Sequence, residues 1–400
     1  MNDFNRELTQ RLEGVRKQGL LRELRCVDSP QSPRIELGGR TLLNFSSNDY
    51  MGLANEPALK EAAIRAVERY GAGAGASRLI CGSLAPHQEL DETLAAFKGT
   101  EAALSFSTGY AAAIGVICAL LGKDDFLILD KLVHACIVDA ARLCGAKLRV
   151  FDHNDLNDLE AKLKWAADKV QSPKSGVQSR KARTLVVTES VFSMDGDHAP
   201  LREMVGLKEQ YGAWLMVDEA HATGLYGPHR RGLADELGVS DRIEVQMGTL
   251  GKALGASGGY ICGSRALVDY LINRARTFIF STAPVPAAAA AATAGIRFVE
   301  SSAGEERRSK LWQNVASLPS TINSQPTTRG SAIIPILIGE ETKAVEAAAA
   351  LRQRSIFIPA IRYPTVARGQ ARLRLTLSAA HSQENLAKLL AALRSLDFGL

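Results

Sequence analysis

The chain has 400 residues, 46% hydrophobic and 23% charged, which fits a globular protein long enough for more than one domain. Its 48 lysines and arginines against 43 aspartates and glutamates leave a net charge of +5, too small and too dispersed to call for a nucleic-acid partner. Cys26, Cys81, Cys118, Cys136, Cys144 and Cys262 are scattered without a C-x-x-C pair, so neither a zinc site nor a redox motif is signalled, and a cytoplasmic protein with reduced thiols is expected.

The first 25 residues are amphipathic and charged, with Leu8, Leu12, Val15, Leu20 and Leu24 near helical spacing. They carry no apolar core of a signal peptide, and no apolar run in the chain reaches membrane length. "RIELGGRTLLNF" reads as a hairpin turning at Gly38-Gly39. "FSSNDYMGLA" is a turn-rich loop, Glu56 to Tyr70 is helical, and "GAGAGASRLICGS" is too rich in glycine for a regular element.

From about Pro86 to Ser281 helices alternate with short apolar runs. "AALSFS", "DFLILD", "KLRVFD", "RTLVVTES", "AWLMVDEA", "IEVQMGT" and "GGYICGS" are the strand candidates. Most are continuous rather than alternating, as in a mainly parallel sheet covered on both faces. Lys169 to Arg183 is polar and basic and reads as an exposed loop. A long alanine-rich helix opens at Ala287, and the strands and helices after it form a small α+β unit. The expected division is 1–45, an N-terminal helix and short strands; 46–285, a large α/β domain; and 286–400, a small C-terminal domain.

Three clusters carry chemistry. In "LMVDEAHATG", Asp218 closes a buried strand and His221 follows in a turn. The carboxyl edge of an open α/β sheet is where ligands bind. Alone, Asp218 is as readily a helix cap. "GTLGKALGASGGY" sets Lys252 among five glycines, with Thr249 three residues earlier. Burial there helps an amine lose its proton, and small neighbours admit a flat ligand. Alone, Lys252 is as readily a solvated loop lysine. A deprotonable lysine and a carboxylate that keeps a pyridine nitrogen protonated are what a protein supplies to pyridoxal phosphate (PLP). "SFSTGYAAAIG" joins a strand to a small-residue helix, where the backbone N–H groups of Gly109 and Tyr110 form an anion site. His134 follows a strand in "DKLVHACI", and Glu189 and Ser193 lie on a strand end and turn in "TESVFSMDGD".

Together "FSSNDYMGLA", "GAGASRL", "FSTGYAA", "ESVFSMDGD", "VDEAHATG", "GTLGKALG", "FIFSTAPVP" and "ARLRLTLSAAH" resemble the α-oxoamine synthases, in order and over nearly the whole chain. The resemblance implies a fold-type-I PLP-dependent transferase that condenses an amino acid with an acyl thioester. It implies that Lys252 holds the cofactor, Asp218 pairs with its pyridine nitrogen, His221 touches its phenolic oxygen and His134 stacks on its ring. These four are the implied catalytic residues. Gly109, Tyr110, Glu189, Ser193 and Thr249 are the further implied cofactor contacts. Ser281 and Thr282 resemble the pair that reaches the phosphate across a homodimer with shared active sites. Arg362 looks like the clamp for the substrate carboxylate, a bidentate task suited to arginine. Arg22, Asn48, Ser77 and Thr365 resemble residues on the acyl-thioester side.

Within the family, "FSSNDY", "FIFSTAPVP" and "AIRYPTV" look most like the branch that joins L-alanine to a pimeloyl group carried by CoA or acyl carrier protein. Glycine C-acetyltransferase or another sister synthase is the alternative. No metal, nucleic-acid or membrane partner is implied. Two features depart from the family pattern: Tyr363 stands where the family often has proline, and the 169–183 stretch is enlarged.

Overall fold

The computed structural model describes residues 2–171, 182–319, 322 and 330–396. The chain folds into two units, one of Met1–Tyr50, Met194–Gly196 and Ser309–Leu400, the other of Met51–Ser193 and Asp197–Arg308.

The smaller unit begins with helix α1, Asp3–Lys17, started by Asn2, whose side chain accepts from the Asn5 N–H at 2.9 Å. The expected 25-residue helix is therefore shorter, and Leu20 and Leu24 lie beyond it. Strands β1 (Arg34–Leu37) and β2 (Arg40–Asn44) form the expected hairpin. Both turn residues, Gly38 and Gly39, have positive φ (59° and 73°), as a two-residue turn that follows strand twist requires.

The larger unit is built on seven strands: β3 (Ala102–Phe106), β4 (Phe126–Asp130), β5 (Lys147–Phe151), β6 (Thr184–Glu189), β7 (Trp214–Asp218), β8 (Val245–Thr249) and β9 (Gly259–Gly263). Their order is β3-β9-β8-β7-β6-β4-β5, and only β9 runs antiparallel to its neighbours. The α/β class with a mainly parallel sheet is thus as expected. Strands β3, β4, β6 and β9 are buried along their whole length, whereas edge strand β5 exposes Lys147 and Arg149. Helices α2 (Gly109–Leu120) and α3 (Ala135–Cys144) pack on this sheet through Ala112, Val116, Ile117 and Ile137, against Leu127, Leu129 and Val187. Burying each large aliphatic side chain contributes about 1.5–3 kcal/mol.

The smaller unit is completed by β10 (Ile333–Gly339), β11 (Ile356–Phe357), β12 (Ala360–Ile361) and β13 (Ala371–Thr376). β13 lies between β10 and β12, antiparallel to both. β11 pairs in parallel with β2, Ile356 opposite Leu43. This pairing, between residues far apart in sequence, joins the N-terminal segment and the C-terminal part in one unit, where the expected division kept them separate. Helix Pro286–Glu300, expected in the C-terminal part, belongs to the larger unit and buries Ala289, Ala292, Ile296 and Val299. Of the expected 169–183 loop, residues 169–171 end helix Leu156–Gln171 and 172–181 lie outside the described residues. Among the described residues, no helix is long and apolar enough to cross a membrane, and no three His, Cys, Asp or Glu are grouped to hold a metal. All six cysteines are free.

Candidate active site

The parallel strands end together. Glu189, last residue of β6, lies opposite Asp218, last residue of β7, and Asp218 lies opposite Met247 of β8. Strand β3 runs parallel to β8 across the antiparallel β9, so α2 starts from the same edge. Asp218 and Glu189 are both buried. Asp218 accepts from the Ala220 N–H at 2.9 Å, which sets the turn that carries His221.

Lys252 Nζ and His221 Nε2 are 2.7 Å apart, within hydrogen-bond distance. The positive charge of Lys252 acts on both buried carboxylates and on His134. Burial pushes the Glu189 carboxyl up to about 8, helped by the charge of Asp218 and opposed by Lys252. Asp218 is also raised by burial, but Lys252 is the leading influence holding it down. Glu189 Oε1 is buried without a hydrogen-bond partner.

His134 caps α3, its Nδ1 accepting from the Cys136 N–H at 3.2 Å. The residue is exposed, yet partial desolvation lowers its pKa. The ring is therefore neutral at pH 7, with its proton on Nε2. The opening turn of α2 is capped by Thr108, which accepts from the Ala111 N–H at 3.0 Å. The first N–H groups of a helix have no partner within the helix and face an anion site. A Cβ on Gly109 would lie 3.9 Å from Cβ of Thr249, which brings the end of β8 to this turn. A Cβ on Gly259 would lie 2.5 Å from N and Cα of Gly109, so only glycine lets β9 start against the opening of α2. Thr249 itself donates to the Gly258 carbonyl at 2.9 Å and accepts from the Gly251 N–H at 3.2 Å, shaping the loop that carries Lys252. Gly248 has a packing reason of its own: a Cβ there would lie 2.3 Å from the buried Tyr260 hydroxyl.

Ser193 is buried on the turn after β6, and its N–H helps hold the Glu189 carboxyl down. Tyr110 turns its hydroxyl to Asp139, away from any role for its side chain at the strand edge. Ser281 and Thr282 lie on a different loop, anchored where the Ala283 N–H donates to the Ala76 carbonyl at 3.0 Å, beside Ser77. Buried His87 pins the same loop through Nε2 and the Pro284 carbonyl at 2.7 Å. Among the described residues no hydrogen bond joins this loop to the Lys252 cluster. In the smaller unit, Arg362 donates to the carbonyls of Gly19 and Leu21, and Arg22 donates to the carbonyl of Tyr363 at 3.2 Å. Asn48 accepts from Arg374 at 3.0 Å, and the Thr365 N–H closes a turn onto the Arg362 carbonyl at 3.0 Å.

Sequence reasoning missed the support under the site. Lys98 and Glu219, each about 1% exposed, form an ion pair of 2.5 Å. Glu219 also accepts from the Ala234 N–H at 2.9 Å, and Lys98 donates to the Arg231 carbonyl. Glu219 follows Asp218 directly, so the pair anchors the backbone on which Asp218 and His221 sit. Its only signal in the sequence is a second acidic residue beside Asp218.

An amine beside an imidazole, a buried carboxyl group close by and an N–H cradle suited to an anion fit the four polar parts of PLP: aldehyde, phenolic oxygen, ring nitrogen and phosphate. Sheet and cluster together define a fold-type-I PLP-dependent enzyme. Residues 40–393 match the family model described as aminotransferase class I and II. The chain is 46% identical over 387 residues to an 8-amino-7-oxononanoate synthase from Geotalea daltonii, covering 96% of each chain. It is 44% identical over 395 residues to one from Herminiimonas arsenicoxydans, covering 97% of this chain and 98% of that one. A solved serine palmitoyltransferase variant from S. paucimobilis, with a bound PLP–myriocin aldimine, superposes with a TM-score of 0.89 at 28% identity, over 99% of this chain and 98% of that one. The solved 8-amino-7-oxononanoate synthase from Francisella tularensis gives 0.72 at 26% identity, over 88% and 97%. The chain belongs to the aminotransferase class I and II family and, within it, to the α-oxoamine synthases.

Proposed function

We propose that the chain acts as an 8-amino-7-oxononanoate synthase of biotin biosynthesis. It joins Cα of L-alanine to the acyl carbon of a pimeloyl thioester, releasing the thiol and carbon dioxide. The support is the near full-length similarity to synthases of that name together with the Lys252–His221 contact at the strand edge.

PLP, when bound, draws electrons from the amino-acid Cα, so that its proton becomes labile and a new carbon–carbon bond can form there. In our reading Lys252 holds the cofactor, Asp218 faces its ring nitrogen, His221 its phenolic oxygen and His134 its ring face. The N–H groups of Gly109 and Tyr110, with Ser193 and Thr249, take the phosphate, and Glu189 lies behind the ring. Lys252 Nζ is then the base for the Cα proton, and His221 Nε2 shares that proton across their 2.7 Å contact. A neutral His134 offers a flat face without adding a charge. Glu189, raised to about 8, is protonated at neutral pH and adds no second charge beside Asp218. Arg362 takes the substrate carboxylate, and Arg22, Asn48, Ser77 and Thr365 serve the acyl thioester. Ser281 and Thr282 complete the phosphate site of a second copy, so the working form is a homodimer, placed in the cytoplasm. An acyl carrier protein is the alternative donor to CoA.

The test is to incubate PLP-loaded protein with L-alanine and pimeloyl-CoA and measure product mass and carbon dioxide. One carbon dioxide per 8-amino-7-oxononanoate is expected. Turnover only with glycine and a short acyl-CoA would move the chain to glycine C-acetyltransferase chemistry.

A further inference from the structure

The larger unit holds a cavity of about 690 Å³ at the edge of its sheet opposite Asp218. Arg183 stands just before β6, Trp214 opens β7, Val245 opens β8 and Gly263 closes the antiparallel β9, and all four line it. The strand from Trp214 to Asp218 spans about 13 Å. Lys252, Asp218 and His221 are not part of the cavity wall. Much of that wall is apolar, with Leu120, Trp214, Ile243, Val245, Leu267 and Tyr270 contributing.

Most charged side chains of the wall are already engaged. Glu244 pairs with Lys208 at 2.6 Å and accepts from the Leu215 N–H at 2.8 Å. Glu101 accepts from the Arg265 N–H at 2.8 Å. Arg242 is forked onto Glu209, and the exposed Asp241 acts on the same guanidinium. Arg183 differs. Its backbone is fixed by Asp125, which accepts its N–H at 2.9 Å. Its guanidinium lies over the Trp214 ring, 5.1 Å from the centroid, and among the described residues it makes no hydrogen bond or ion pair. Stacking uses the flat face of a guanidinium and leaves its N–H edge free.

A free N–H fork beside an apolar wall matches a carboxylate carried on an apolar body. The volume lies in the range of small-ligand sites. A phosphate ester would bring a second negative charge near Glu101, Asp241 and Glu244, whereas Arg183 alone balances a monocarboxylate. We propose that this cavity is a further small-molecule site that takes an amphipathic monocarboxylate. The chain or ring lies against Trp214, Ile243 and Leu267, and the carboxylate sits on Arg183. The site lies outside the reaction proposed above and does not depend on that reading.

The test uses PLP-loaded protein and isothermal titration with octanoate and with octanamide, which keeps the chain and removes the charge. Octanoate is expected to bind at least about tenfold more tightly, with the difference shrinking at high salt. Arg183→Gln should remove most of that difference. Ala266→Trp, which fills the cavity from an exposed position of its wall, should weaken both ligands at least about tenfold. Arg274→Gln, exposed and outside the wall, and Arg362→Gln in the smaller unit should leave octanoate binding as it is. Circular dichroism checks that each variant is folded, and if Arg183→Gln is not, the Ala266→Trp result decides. Equal binding of the two ligands by the wild type would overturn the proposal, as would octanoate binding that is unchanged in folded Arg183→Gln or Ala266→Trp. Octanoate binding lost in Arg362→Gln but kept in Arg183→Gln would place the carboxylate in the smaller unit and overturn it too.

Discussion

Glu189 and Asp218 stand directly opposite each other at the carboxyl ends of adjacent parallel strands, both buried. Both are raised by burial, and burial together with the charge of Asp218 pushes Glu189 up to about 8. An ordinary glutamate in the unfolded chain titrates near 4.5. The folded state therefore binds this proton more tightly. The stability it contributes is fully present below about 4.5 and is lost as pH rises through about 8. Melting temperatures of the cofactor-free protein, wild type against Glu189→Gln, should diverge between pH 6 and 9, the wild type falling behind at the alkaline end. Parallel curves would show that Glu189 does not carry the proton.

The Lys98–Glu219 pair is buried on both sides, so removing one partner strands the other charge. Lys98→Met should lower stability by about 3–5 kcal/mol in denaturant unfolding. Adding Glu219→Leu should recover only part of it, because the Ala234 N–H then loses its acceptor. Full recovery in the double variant would mean that Glu219 does not hold the 219–234 segment.

His153 lies between Asp130 (2.9 Å) and Asp197 (2.7 Å). Burial works against the charged ring, but hydrogen bonds to the two carboxylates outweigh it and raise the pKa to about 10. Its contribution to stability is complete below about 6.5 and disappears as pH rises through about 10. The difference in melting temperature between wild type and His153→Gln should be largest near pH 6 and shrink toward pH 10. A difference that grows with pH would contradict this arrangement.

Gly259→Ala places a methyl group 2.5 Å from the backbone of Gly109. Relieving that overlap costs about 1–3 kcal/mol and shifts the first turn of α2. PLP retention, followed by absorbance after dialysis, should weaken about tenfold or more. Unchanged retention would separate the α2 turn from the cofactor site.

Most strands of the larger unit were readable because each is a short, mainly apolar run ending in polar or small residues: "DFLILD" became Phe126–Asp130 and "AWLMVDEA" became Trp214–Asp218. Lys252, Asp218 and His221 were readable because each sits at such an ending. What escaped depends on partners distant in sequence. Nothing local marks Lys98 as the partner of Glu219, or His87 as the pin of the Pro284 loop. The parallel pairing of Ile356 with Leu43 is equally invisible in a two-residue strand, which is why the expected domain division separated the chain's two ends. The five glycines around Lys252 were read together as room for a ligand, whereas at Gly248 the space is taken by Tyr260.

The central claim is that Lys252 Nζ takes the Cα proton of alanine. The most direct measurement is exchange of that proton for deuterium in heavy water, followed by NMR, with PLP-loaded wild type and Lys252→Gln. The wild type should exchange it, and the variant should be slower by about 10²–10⁴-fold or more. Exchange by Lys252→Gln at the wild-type rate would contradict the claim.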